Sequence, residues 1–340
     1  MIMFPSNGHM ATLDGTLEDW ADLEDDFSEA ALLLGNGLSI NVWRNFSYRA
    51  LYDFAQDGAL TEEEVLLFDG SPNFERALAD LNTARRVCQV LGMPTDRVLE
   101  RYQSVQAALG DAVRAVHVGR YDVPTATLQA IREELVRYEW VFTTSYDLIL
   151  YWSMACGGFT PFIDHFRGGG RLTFDASRAE VYEGQVPVYF LHGALHLVVG
   201  GDGTTWKTRS GLMRNLLEQF GAPIAGDPEA RPLLVTEGSA RDKLRAIEGN
   251  VYLSHALDRL AACDLPMVVF GSSLSAQDDH LIGALNQFED RPLAVSLLPG
   301  PKRDLARQQA DIFGRVDADE LRFFDATTHP LGDPALRVQP

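Results

Sequence analysis

Short apolar runs recur along this chain, each closed by small or polar residues: Ala31–Leu34, Trp140–Thr143, Val186–Leu191, Leu233–Thr236, Pro266–Phe270, Leu293–Leu297 and Leu321–Phe324. Each has the length of a strand buried on both faces, and Gly, Ser, Thr or Asp follows most of them. Helix-compatible stretches separate several of the runs, at Ser210–Phe220, Ala240–Cys263 and Asp278–Phe288. This alternation predicts an α/β fold built on a mainly parallel sheet of about six to seven strands, with helices on both faces.

Residues 60–138 break the rhythm. Phe74, Ala77, Leu78 and Leu81 fall on one helical face, and Val98, Tyr102, Val105, Leu109, Val113 and Val116 on another. The block predicts a helical insertion of about four helices. Residues 1–59 then begin the α/β domain and 139–340 complete it. Ahead of the first strand, Leu17, Trp20, Leu23 and Phe27 are spaced for an acidic amphipathic helix packed on the body. Gly157–Gly184 is glycine-rich and irregular, and predicts a long loop or lid.

Composition narrows the functional classes. The 340 residues are 46% hydrophobic and 23% charged, ordinary for a globular chain long enough to bury a core. The formal net charge of −19 repels polyanions, and no Lys/Arg-rich run appears, so no nucleic-acid partner is expected. No apolar run approaches membrane-spanning length, and the N-terminal sequence lacks a signal-peptide pattern. The three cysteines, Cys88, Cys156 and Cys263, show no CxxC spacing, which rules out a four-cysteine zinc site and suits the cytoplasm. A homo-oligomer is compatible with all of this.

In open parallel sheets ligands sit beyond the carboxyl ends of the strands, so the residues after each run carry the chemistry. The first run ends in Gly35-Asn36-Gly37-Leu38-Ser39, where glycines would let backbone approach a phosphate before a helix begins. The run at 140–143 leads into Thr144, Ser145, Tyr146 and Asp147. These side chains suit a sugar or an amide, but taken alone the motif reads first as a Thr/Asp cap for the helix that follows. His192 and Gly193 follow the run at 186–191, placing a histidine for proton transfer, although a lone histidine is as readily structural. His192 and His196 lie four apart, but with no HExxH glutamate and no obvious third ligand no metal is expected. The run at 266–270 ends in Gly271, Ser272 and Ser273, with Asp278 and Asp279 available as caps. Glu75 opens a helix, and Glu237 follows a strand; each faces either a ligand or its own helix.

The order of these motifs is more informative than any one of them. GNGLS at 35–39, TTSYD at 143–147, HG at 192–193 and GSSL at 271–274 occur in the order of the corresponding motifs in sirtuins and sirtuin-like bacterial proteins. Over roughly residues 31–290 the chain resembles the zinc-free bacterial branch, several of whose members consume NAD in phage defence. It is also similar to an uncharacterised family carrying TEGSxxDKLxAI and GSSLSxxDxH, here at 236–247 and 271–280. The resemblance implies a Rossmann-like sheet and NAD, or an ADP-ribose-like small molecule, as substrate or ligand. It implies NAD glycohydrolase or ADP-ribosyl-transferring activity, or else a sensor that binds without turnover. Carried onto this chain, His192 would be the base or ribose partner, with Ser145 and Asp147 orienting ribose and water. Gly35, Gly37, Ser39, Thr144, Gly193, Gly271, Ser272 and Ser273 would hold the dinucleotide. The family's Asn falls on Ser145, and Asn36 would have to supply the missing amide.

Overall fold

The structure, a computed structural model, describes residues 13–168, 171–208, 230–236, 239–288 and 290–339. Seven strands form one sheet: β1 (Ala31–Leu34), β2 (Trp140–Thr143), β3 (Phe162–Ile163), β6 (Val186–Phe190), β10 (Met267–Phe270), β11 (Leu293–Leu297) and β12 (Leu321–Asp325). Every pairing in it is parallel, in the spatial order β12-β11-β10-β1-β2-β6-β3. The chain starts in the middle at β1, passes to β2, crosses to the edge strand β3, returns to fill the gap with β6, and then resumes on the other side of β1 with β10. The fold is the expected mainly parallel, Rossmann-like α/β architecture.

Alternate side chains of these strands enter two separate cores, as a pleat covered on both faces requires. Leu32, Leu34, Val141, Val188, Val268 and Phe324 enter the first. Ala31, Leu33, Phe142, Tyr189, Val269 and Val295 enter the second. Helices Tyr48–Gln56, Phe74–Val90, Asp96–Val116, Thr125–Leu135 and Ile149–Ala155 cover the first face. Helices Val251–Ala261, Asp279–Leu285 and Lys302–Phe313 cover the second. No described helix is long and apolar enough to cross a membrane.

Several elements differ from the sequence expectation. Leu233–Thr236 was assigned to the main sheet, but β9 (Arg231–Leu234) pairs antiparallel with β7 (Gly193–Val199). With β4 (Phe166–Arg167), β5 (Leu172–Phe174) and β8 (Thr205–Lys207) they form a second, antiparallel five-stranded sheet in the order β4-β5-β8-β7-β9. Pro232 sits in β9, and a strand carrying proline belongs at an edge, where its missing N–H costs no ladder bond. The expected loop at 157–184 contributes β3, β4 and β5, each too short for any periodicity to show. Ala240–Cys263 is two helices, Ala240–Glu248 and Val251–Ala261, because Asn250 caps the second by accepting from the amides of Tyr252 and Leu253.

The acidic N-terminal segment forms only a short 3-10 turn, Trp20–Asp22, although Trp20, Leu23 and Phe27 are buried as expected. Like charges four apart, Asp22 with Asp26 and Asp25 with Glu29, oppose a regular helix there. Ser210–Phe220, Gly169, Gly170 and Glu237 lie outside the described residues.

Candidate functional site

The carboxyl ends of β6, β2, β1, β10, β11 and β12 stand in a row, and one cavity of about 480 Å³ runs along them. Strand order reverses between β1 and β10, and at such a switch point neighbouring loops part and leave a crevice. Of the twelve residues assigned to the site through the resemblance, nine line it: Gly35, Asn36, Gly37, Thr144, Ser145, His192, Gly271, Ser272 and Ser273. Four segments far apart in sequence therefore meet at one cavity.

The glycines have a closer physical reason than ligand approach. The turn after β1 interlocks with the turn after β10, backbone against backbone. The Gly35 amide donates to the Phe270 carbonyl at 2.8 Å and the Gly37 amide to the Gly271 carbonyl at 2.9 Å. A Cβ on Gly35 would lie 2.3 Å from the Gly271 oxygen, and one on Gly37 would lie 2.4 Å from the Gly271 Cα. Both amides are committed to this contact and cannot serve a phosphate.

Asn36, Ser39, Asp147 and Gly193 need separate placement. Asn36 donates its side-chain amide to the Phe46 carbonyl at 3.1 Å. Ser39 and Asp147 are buried behind the cavity wall, where the Ser39 hydroxyl donates to Asp147. Asp147 also accepts from the Ile149 amide at 2.8 Å, a local turn contact just ahead of the helix, whose N-cap position is held by Leu148. The Ser145 hydroxyl oxygen lies 3.5 Å from that of Ser39, so this buried pair sits directly behind a residue of the cavity. Gly193, at φ +77, turns the chain from the parallel sheet into β7; a Cβ there would lie 1.9 Å from the Leu233 carbonyl oxygen. It is not part of the cavity lining.

Charged residues complete the cavity. Lys243, from helix Ala240–Glu248, is 1% exposed, and its ammonium lies 3.1 Å from both Glu75 and Asp278. Burial alone would lower its pKa, but the two carboxylates lift it above the ordinary lysine value. Burial pushes Glu75 up, and Lys243 opposes that rise. Asp278 holds the N-cap position of its helix without making a cap bond and serves Lys243 instead. Arg44 and Arg337 also line the cavity. Arg337 donates to the side-chain oxygen of Asn41 at 3.4 Å, and among the described residues neither arginine has a carboxylate within ion-pairing distance. With Lys243 matched by two carboxylates, these guanidinium groups are the uncompensated charges of the cavity, in a chain of net charge −19.

His192 is 5% exposed, and its Nε2 lies 2.8 Å from Nε2 of His280. Burial drives the His192 pKa well below the ordinary histidine value, helped by the Lys243 and His280 charges, so the ring is neutral at pH 7. His280 is lowered by burial and by Lys243 to about 4, with Asp278 opposing. His196 is inside β7, fully buried and stacked on Tyr151 with ring centroids 4.1 Å apart. It does not approach the cavity lining.

Fold and site together define a Rossmann-like α/β protein with a cavity at the switch point of its sheet, mainly apolar in surface and carrying a few charged groups. A family model described as a domain of unknown function, DUF4917, matches residues 32–331, and the chain belongs to that family. No curated protein matches it. Among solved structures, the chain is similar to a Sir2 enzyme studied for mechanism and regulation, at 14% identity over 93% of each chain with a TM-score of 0.38. It is also similar to a Sir2 homologue variant in complex with ADP-ribose, at 13% identity over 87% of this chain and 98% of that one, with a TM-score of 0.37.

Proposed function

We propose that the cavity binds NAD or an ADP-ribose-bearing relative, and that the protein releases nicotinamide from NAD. The observation that carries this reading is the convergence of four strand-end motifs on one crevice that also holds two unmatched arginines. A dinucleotide needs a cavity of several hundred Å³, apolar surface for its base, and positive charge for its pyrophosphate. Arg44 and Arg337 supply the charge, and Phe270, Leu297 and Leu298 are among the apolar residues available to the base. The local field therefore opposes the chain's overall acidity, which would otherwise repel an anionic ligand.

Cleavage breaks the bond between ribose C1′ and the nicotinamide nitrogen, and the bonding pair leaves with nicotinamide. Positive charge then develops on the ribose, and a nearby carboxylate stabilises it. Glu75 and Asp278 are the carboxylates that line the cavity. Water adds at C1′ and loses a proton; the neutral His192 ring is the acceptor best placed on the cavity wall. Ser145 would orient ribose or water, held from behind by Ser39 and Asp147. NAD consumption in phage defence, which the sequence resemblance implies, is proposed as the setting of this activity.

A second reading, a sensor that binds the same ligand without turnover, is favoured by one observation. Ser145 stands where the resembling motif has Asn, and the Asn36 side chain is anchored on the Phe46 carbonyl with one of its two N–H donors. Purified protein titrated calorimetrically with NAD and with ADP-ribose, then assayed for free nicotinamide, separates the two. Binding with nicotinamide release supports the enzyme, and binding without release supports the sensor. No heat from either ligand at millimolar concentration removes both.

A further inference from the structure

We propose that His192, Asp278 and His280 form a binding site for a single divalent transition-metal ion in the cavity wall. One ring nitrogen of each histidine and a carboxylate oxygen all lie within 4.8 Å of one another, and the two Nε2 atoms are 2.8 Å apart. His192 comes from the turn after β6, while Asp278 and His280 flank the start of helix Asp279–Leu285, so tertiary structure alone assembles the group. Metal–nitrogen bonds of about 2.0–2.1 Å set two ligand nitrogens roughly 3.0–3.4 Å apart. The histidine nitrogens are 2.8 Å apart, and a shift of a few tenths of an ångström opens space for the ion.

As a structural hydrogen bond the histidine pair gains little. One Nε2 must donate to the other, and in either tautomer the Nδ1 of His280 remains buried with no partner among the described residues. An ion uses both Nε2 lone pairs at once, so His192 would serve as proton acceptor only in the metal-free protein. Asp278 is already oriented for it: one carboxylate oxygen accepts from Lys243, which leaves the other for the metal. Ligating carboxylates are commonly held from outside in this way. Glu75, on the far side of Lys243, balances the ammonium that would otherwise repel a cation.

Two imidazoles and one carboxylate suit zinc, cobalt, manganese or ferrous iron better than magnesium or calcium, which prefer all-oxygen sites. Three protein ligands leave coordination positions open, and His192 and Asp278 both face the cavity, so those positions are accessible to a bound ligand. In sequence the metal question falls on His192 and His196, whereas the structure pairs His192 with His280, 88 residues away.

The test is Co²⁺ titration of the chelator-stripped full chain, followed by visible absorption and calorimetry without any nucleotide. One equivalent should bind with the ligand-field bands of a nitrogen-ligated site. His280→Gln and Asp278→Asn should each weaken it by about tenfold or more, while His255→Gln should leave it unchanged. Should the variants fail to fold, electron paramagnetic resonance of the wild-type chain with one equivalent of Cu²⁺ should show two imidazole nitrogens. Absence of saturable binding, equal affinity in a folded His280→Gln protein, or fewer than two coordinated imidazoles would each overturn the site. Because no nucleotide is present, these outcomes leave the dinucleotide reading to its own test.

Discussion

Gly271 sits at φ +69, and a Cβ there would lie 2.7 Å from the Gly37 Cα. An alanine would meet both left-handed backbone strain and collision with a rigid turn. Gly271→Ala is expected to destabilise the fold by about 2 kcal/mol or more and to widen the junction between β1 and β10. Gly283 is the internal comparison: it lies within helix Asp279–Leu285, and nothing occupies the 4 Å around its missing Cβ. Gly283→Ala is expected to stabilise the protein by about 0.5–1 kcal/mol. Urea unfolding of both variants beside the wild type checks the pair, and similar stabilities for the two would refute the interlock. Strand-end residues of the site were readable because glycine and hydroxyl residues punctuate an apolar run. Their use was harder to read: the Gly35 and Gly37 amides hold the neighbouring turn. Lys243 and His280 were visible only as letters of the 236–247 and 271–280 motifs, with no sign of their roles, and Arg44 and Arg337 left no signal at all. Only tertiary packing shows that Arg44, Lys243 and Arg337 line the cavity and that His280 meets His192 behind it.

The Lys243 ammonium connects three elements: its own helix Ala240–Glu248, the start of helix Phe74–Val90 through Glu75, and the turn before Asp279–Leu285 through Asp278. Removing one member of a buried ion cluster leaves the others uncompensated, which costs more than the cluster contributes. Lys243→Met is therefore expected to lower stability by about 3 kcal/mol, with part of the loss recovered as Glu75 takes up a proton. A double variant, Lys243→Met with Glu75→Gln, should be more stable than the single one. Thermal unfolding of the two proteins measures this, and a double variant no more stable than the single one would show that Glu75 is already solvated. Among larger features, β1, β2 and β11 match their apolar runs end to end, because burial on both faces demands uninterrupted hydrophobic sequence. The antiparallel sheet was not readable for the opposite reason. Strands such as β4 and β5 span two or three residues, and their pairing depends on partners across the sheet, not on local pattern. Helix Phe74–Val90 was readable from its buried stripe, and its start, which the structure shows capped by Asn73, also carries Glu75 into the cavity.

At the scale of the whole molecule, the seven described histidines behave alike. His117, His165, His192, His196, His255, His280 and His329 all have pKa values lowered from 6.5, and burial is the first cause for each. His165 and His280 fall to about 4 and His329 to about 3. Between those values and 6.5 the unfolded chain binds protons that the folded chain refuses. Stability must then fall as pH drops below about 6.5, by up to about 1.4 kcal/mol per pH unit for each such histidine. Glu75 and Glu134 act in the opposite sense, because burial raises their folded-state values and favours the folded form as they protonate. Relief of self-repulsion also opposes the histidines as pH approaches the sequence pI of 4.7. Salt near 0.15 M screens that repulsion between surface charges but hardly reaches buried imidazoles. Seven groups against two then decide the sign. The urea midpoint at pH 5 should lie well below that at pH 7.5 in the same salt, although the net charge is smaller at pH 5. A midpoint that holds steady or rises between these pH values would mean that the imidazoles exchange protons freely in the folded state.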